Sequence, residues 1–256
     1  MNRRSAFLVP LALLLAAPAL AQNPGGARAG APPATEPELP ASDLLVRYES
    51  PALGFRWSLA PEAALEPRLV QDMRGEALAE RGRQIRSADE AAAAAQPGDR
   101  KYQTEWSERW EPEAETDLLL AFSTRQYSYT GGAHGNVMFR TVIWDRDAGR
   151  RIQFAELFQD ANGALAALKP AFCKALDAER KDRRGGVQLG GDYDKCPDFT
   201  AYPIVPQGEG EIGAIRVLVP PYEAGPWAEG VYEIALDAAL VRPFLAPRYA
   251  GAFAKP

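Results

Sequence analysis

His134 is the only histidine in the chain, so any acid–base or nucleophilic chemistry would be built around it. An imidazole activates a serine only when an acid orients it from the other side. Ser123 and Ser128 lie a few residues upstream, but the Gly-x-Ser-x-Gly turn that presents a serine nucleophile is absent. His134 therefore reads as a loop histidine that donates to backbone carbonyls and fixes a turn. Zinc chemistry fares no better, because His134, Cys173 and Cys196 come with neither a C-x-x-C pair nor a second histidine. Asp192, Asp194 and Asp198 surround Gly190-Gly191 without the order or distal glutamate of a calcium loop, and read as a solvated acidic loop. Glu111, Glu113, Glu115 and Asp117 could serve glycoside hydrolysis only at defined separations and with shifted pKa values. The reading is no catalytic residue, no metal and no cofactor.

Aromatic side chains are the better lead. Tyrosine and tryptophan favour interfaces because one part of the side chain packs while another hydrogen-bonds. Trp106, Trp110 and Trp144 fall on apolar strand faces and are expected in the core. Tyr129, His134, Tyr222 and Trp227 fall in or beside loops. Together with Gly131 and Gly132 they are the candidate binding residues.

The elements that must position them follow from hydrophobic periodicity. Residues 118–129 and 137–144 read as two strands joined by Thr130-Gly-Gly-Ala-His-Gly-Asn136, a hairpin with an extended loop. Three glycines in five positions, Gly131, Gly132 and Gly135, call for φ > 0 or close approach of another group. Upstream, Leu44 to Glu49 and Phe55 to Leu59 have strand character. The 60–95 stretch reads as an amphipathic helix with Leu65, Leu69, Met73 and Ala77 on one face, weakened at Gly75 and Gly82. Tyr102, Thr104, Trp106, Glu108 and Trp110 alternate with polar residues as in a half-buried antiparallel strand. A short strand at 151–154 and one helical turn at 155–158 precede a second helix. That helix is expected to be capped by Asn162, to carry Leu165, Leu168, Phe172 and Leu176 on one face, and to break or kink at Pro170. Its charged end, Glu179 to Arg184, runs into Gly185-Gly186. Residues 196–205 lead into a further strand pair, with 212–219 and 231–236 as neighbours, and Asp237 caps a short terminal helix.

The loop Gly131-Gly132-Ala133-His134 resembles the Gly-Gly-Ala-His turn of a bacterial extracytoplasmic domain family of unknown function. Pro221-Tyr222-Glu223-Ala224-Gly225-Pro226-Trp227-Ala228-Glu229-Gly230 resembles that family's Pro-Tyr-Glu-x-x-Pro-Tyr-x-x-Gly signature, with Trp227 at the second aromatic position. Relatives in that family occur in the ectodomain of a lysozyme-sensing anti-sigma factor and beside a peptidoglycan deacetylase domain. The resemblance covers residues 44–247 and implies an α+β domain in which helices pack on an antiparallel sheet. It also implies an envelope ligand, a lysozyme-like protein or peptidoglycan.

Residues 1–21 read as a secretory signal: Arg3 and Arg4, the apolar stretch 7–17, and Ala19-Leu20-Ala21 before Gln22. The apolar stretch is too short to span a bilayer, and no membrane insertion is expected after cleavage. Residues 22–42 are rich in Pro, Gly and Ala and read as a disordered linker. Residues 43–256 are expected to form one α+β domain, with halves 43–150 and 151–256. Losing Arg3 and Arg4 takes the formal charge from −5 to −7, which argues against a nucleic-acid partner. In an oxidising compartment Cys173 and Cys196 are expected to be bridged. The expectation is a periplasmic or secreted binding or sensing module of the cell envelope. Its rivals are a small hydrolase or deacetylase using His134, and a scaffold subunit of an envelope complex.

Overall fold

Alternation decides the central strands. In β3 (Thr104–Glu115), Trp106, Glu108 and Trp110 point to one face while Glu105, Arg109 and Glu111 face solvent. β4 (Leu119–Tyr129) opens with a continuous apolar run, Leu119-Leu120-Ala121-Phe122, and both of its faces are covered. Leu119 and Ala121 join one core, Leu120 and Phe122 the other. A strand buried on both sides loses the alternation that a half-buried one shows. The sheet thus separates two hydrophobic cores.

The structure, a computed structural model, describes residues 41–96 and 102–255. The expected signal at 1–21 and the linker from 22 to 40 lie outside the described residues. The first described element is a 3-10 turn, Ala41–Leu44. β1 (Leu45–Glu49) and β2 (Leu53–Leu59) form an antiparallel pair, and α1 (Pro67–Ala94) crosses over to β3. β5 (Asn136–Asp145) pairs with β4 along its whole length, and β6 (Arg150–Ile152) adds three residues outside β5. α2 (Ala161–Arg183) is followed by β7 (Ile204–Glu209), β8 (Ala214–Val219) and β9 (Tyr232–Asp237). The strand order is β6-β5-β4-β3-β7-β8-β9, with β2 also on β3 and β1 on β2.

The α+β class expected from the sequence is the one found: a sheet curled into a half-barrel with two helices packed on it. Two pairings depart from a purely antiparallel sheet. β2 runs parallel to β3 because a long helix connects them, and β3 runs parallel to β7 at Ala114↔Gly208 and Glu115↔Glu209.

Helix details also differ from expectation. α1 starts at Pro67 after a separate 3-10 turn, Pro61–Leu65, which leaves Leu65 on the surface while Leu69, Met73 and Ala77 are buried. Gly75 and Gly82 do not interrupt it. α2 is capped by Asp160, whose carboxylate accepts from the Gly163 N–H at 2.9 Å, rather than by Asn162. It also continues through Pro170, whose side chain is exposed, while Leu168, Phe172 and Leu176 anchor the buried face on both sides of it.

Cys173 on α2 is bridged to Cys196, with Cα atoms 5.3 Å apart, as expected. A bridge of this kind is compatible with an extracytoplasmic domain, and among the described residues no helix is long and apolar enough to cross a membrane. The bridge spans 23 positions, and on the chain-entropy model its reduction costs roughly 3 kcal/mol. Urea unfolding with and without reductant checks this, and coincident midpoints would show that the bridge constrains little.

Candidate functional site

The hairpin tip between β4 and β5 meets the loop between β8 and β9. The His134 ring stacks on the Trp227 ring, with centroids 4.2 Å apart and planes inclined by 20°. Its Nδ1 lies 2.9 Å from the Gly135 carbonyl oxygen, and its Nε2 lies 3.1 Å from the Tyr222 hydroxyl. Only a protonated nitrogen can face a carbonyl, so Nδ1 carries the hydrogen; in the neutral ring, Nε2 then accepts from Tyr222. His134 is thus held from three sides, on one side by a residue 88 positions away.

The hairpin glycines are needed for two separate reasons. Gly131 has φ +96°, and a Cβ there would come 2.4 Å from the Tyr102 ring. At Gly135 a Cβ would lie 2.2 Å from the Tyr127 ring. Tyr102 packs edge-on against Tyr129 with centroids 5.8 Å apart, and the Tyr129 hydroxyl donates to the Gly132 carbonyl at 3.2 Å. The result is two groups of rings, Tyr102 with Tyr129 and His134 with Trp227 and Tyr222, joined by the tightly turned hairpin backbone. Tyr102, Tyr222 and Trp227 are 46%, 52% and 38% exposed.

Tyr222 is also the one non-glycine residue with positive φ, +72°, among the described residues. A left-handed tyrosine costs about 1 kcal/mol or more and persists only where its surroundings hold it. The holding groups are arginines at the end of α2. Arg180 Nε donates to the Ala224 carbonyl at 2.8 Å, and Arg184 Nη2 does so at 3.1 Å. Arg184 also grips both carboxylate oxygens of Glu229, at 2.8 and 2.9 Å. These hydrogen bonds from Arg184 hold the Glu229 carboxyl below its ordinary value, against the opposing effect of burial. Arg183 donates to the carbonyls of Glu229 and Val231 at 2.6 and 2.7 Å. The Tyr232 hydroxyl bonds to Glu229, and burial, with Glu229 beside it, pushes its pKa up to about 12.

Behind the arginines stands the segment tied by the disulfide. Arg184 Nη1 reaches Asp194 at 2.8 Å, and Arg180 Nη1 reaches the Lys195 carbonyl at 2.9 Å, next to Cys196. The bridge therefore helps position the arginines that position the loop.

Of the six sequence candidates, His134 contacts Tyr222 and Trp227, while Tyr129, Gly131 and Gly132 share its hairpin, where the Tyr129 hydroxyl bonds the Gly132 carbonyl. Tyr102 joins them, although the sequence places it at the start of an amphipathic strand. The arginines of α2 read only as a charged helix end, and no local signal shows that they reach a loop some 40 residues on. The other chemical candidates are dispersed. Ser123 donates to Glu113 at 2.5 Å, and Glu113 is held by Arg216 at 2.7 Å. Asp192 pairs with Lys195, Asp194 accepts from Arg184 and the Leu189 and Gly190 N–H groups, and Asp198 caps a 3-10 turn. Among the described residues no group of three His, Cys, Asp or Glu side chains is placed to hold a metal ion.

No family model matches the chain. No curated protein matches it either. Among solved structures, a DUF3298 family protein from Pseudomonas aeruginosa PAO1 is similar at 18% identity and a TM-score of 0.43, covering 83% of this chain and 95% of that chain. A member of the same family from Bacteroides fragilis NCTC 9343 is similar at 15% identity and a TM-score of 0.45, covering 78% and 87%. The structural neighbours of this chain are thus DUF3298 family proteins, domains of unknown function.

Proposed function

We propose that this protein is an exported binding or sensing module of the cell envelope, without enzymatic activity, that takes its ligand on the aromatic face. The observation that carries the reading is the convergence of His134, Tyr222 and Trp227 from two distant loops into one exposed, internally braced cluster. Exposed rings with a hydroxyl or N–H at the edge fit recognition, since they bury large area at low entropic cost. Among the described residues, the hydrogen bonds and ring contacts of His134 involve Gly135, Tyr222 and Trp227, and no serine or carboxylate that would activate it. The resemblance of both loops to an extracytoplasmic family supports a protein ligand of the lysozyme-like muramidase class. A cell-wall glycan is the second reading, supported by the exposure of Trp227 and Tyr222, whose ring faces suit the C–H faces of sugars.

The test passes the chain from Gln22 onward over immobilised lysozyme and, separately, insoluble peptidoglycan. Saturable retention on either supports binding, and retention on neither overturns the reading for these ligands. His134→Ala is expected to weaken retention by about tenfold or more and to lower stability by roughly 1 kcal/mol through lost loop hydrogen bonds. If the variant instead kept its melting temperature while losing a hydrolase or deacetylase turnover measured in wild type, His134 would be catalytic.

A further inference from the structure

The longest unpaired backbone edge near the aromatic face belongs to β5. β6 pairs with β5 only at Ile143, Trp144 and Asp145, so, among the described residues, positions 136–142 have β4 on one side and no strand on the other. The Arg146 N–H donates to the Leu118 carbonyl, which fixes the alternation along the ladder. Even-numbered residues of β5 bond to β4, and odd-numbered ones turn outward, as Asp145 does in accepting from Gly149. Val137, Phe139 and Thr141 thus direct both N–H and C=O away from the sheet, and none of these groups has a protein partner among the described residues.

Exposed edges are ordinarily blunted by proline, lysine, a bulge or shortness. This edge has none of these. The register with β4 is unbroken from Asn136 to Asp145, the sequence Asn-Val-Met-Phe-Arg-Thr-Val is β-prone, and its one charge, Arg140, is committed to Glu108 and Glu76.

Beside the edge lies a cavity of about 390 Å³ on the α2 side of the sheet. Thr141 and Ile143 form one wall, Leu165 of α2 another, and Phe154, Tyr202 and Ile204 close it. Its lining also includes Ile152 at the end of β6 and Gln153, where the chain turns into the 3-10 helix Phe154–Leu157. A strand that continued the line of β6 antiparallel to β5 would set a residue opposite Thr141. Phe139 and Ile143, two positions to either side of Thr141, belong to the core on the α2 side. The incoming residue opposite Thr141 would send its side chain the same way, into the cavity.

We propose that β5 is a strand-addition site: an extended polypeptide segment pairs antiparallel with Val137, Phe139 and Thr141 and places one apolar side chain in the cavity at Ile143, Leu165 and Ile204. The occupant is an extended polypeptide because the unpaired groups alternate donor and acceptor at strand spacing, which an extended main chain matches residue for residue. The lining mixes Ile143, Leu165 and Ile204, on which an apolar side chain can pack, with the polar Thr141, Thr200 and Tyr202. The inference is independent of the ligand on the aromatic face.

Amide hydrogen exchange by NMR on the chain from Gln22 onward tests it. The probes are acetylated, amidated heptapeptides in which threonine alternates with Val, Leu, Ile, Phe or Tyr. In the free protein the Val137 and Thr141 amides are expected to exchange at least about tenfold faster than those of Met138 and Arg140. At saturation a preferred peptide slows Val137, Phe139 and Thr141 by about tenfold or more, and N-methylation of its bonded amides removes the effect. Leu165→Trp, which fills the cavity without altering the edge, is expected to shift preference from Leu or Phe to Val by about fivefold, with folding checked by thermal melting. Slow exchange of Val137 and Thr141 in the free protein, or protection by no peptide, overturns the proposal. So would sedimentation as a dimer with the same three amides protected, which would make a second copy the occupant.

Discussion

Arg184→Ala is expected to lower stability by roughly 3 kcal/mol and to abolish ligand retention together. The guanidinium is nearly buried, and it satisfies Glu229 with two bonds while also reaching Asp194, Tyr193 and Ala224. Removing it leaves the half-buried Glu229 carboxylate with only Tyr232 as a side-chain donor. It also releases half of the grip on Ala224, two residues from the strained Tyr222. The strain at Tyr222 then has less to hold it, and the ring is expected to swing off His134. The pH dependence has a definite sign. The folded-state pKa of Glu229 is depressed, so its contribution is present above the ordinary carboxylate range and is lost as pH falls through the folded value. The gap between wild type and Arg184→Ala should therefore narrow on acidification below about pH 4. Urea midpoints for both proteins at neutral and acid pH decide it, and a gap that widens in acid would sink the account.

Arg140→Ala is expected to cost about as much, through contacts with Glu108 and Glu76 that involve none of the rings of the aromatic face. Glu108 is buried beneath α1, with one oxygen 2.8 Å from Arg140 Nη1 and the other accepting from Trp110 Nε1 at 3.2 Å. Burial pushes the Glu108 carboxyl above its ordinary value, and Arg140 counters only part of that. Arg140 is partly exposed and bonds Glu76 as well, so its own loss is mild; the cost lies in the buried carboxylate left behind. Loss of a buried partner of this kind costs roughly 3 kcal/mol. Because the folded pKa is raised, the penalty is present at neutral pH and is relieved as pH falls and Glu108 takes up a proton. The double variant with Glu108→Gln should recover most of the loss at neutral pH. Retention on the ligand column should be unchanged, which separates this variant from Arg184→Ala.

What the sequence makes legible follows from how local each signal is. Trp106 and Trp110 alternate with charged residues, so their burial and the strand that carries them are readable from period two alone. The hairpin is readable because its glycines break two apolar runs, and Gly131 and Gly135 turn out to sit against the rings of Tyr102 and Tyr127. The meeting of His134 with Tyr222 and Trp227 is not encoded locally. It depends on β3 pairing with β7, which places residue 114 beside residue 208. The parallel pairing of β2 with β3 is hidden for the same reason, since strand direction is set by a helical crossover rather than by strand composition. Asp160 displaces Asn162 as the α2 cap by two residues, a choice that periodicity does not resolve.

The contact between β3 and β7 is only two residue pairs long, yet it joins the two sets of strands from which the aromatic face is assembled. Tyr129 and His134 belong to one set, Tyr222 and Trp227 to the other. Arg216 spans the same seam, binding both oxygens of Glu113 at 2.7 and 2.9 Å. Such a seam is where a sheet would part first under load or heat. A ligand resting on both loops would act as a brace across it. At a hundredfold excess over its dissociation constant, the brace would add about 2.7 kcal/mol of resistance to opening. Recognition and mechanical strength would then be properties of one joint.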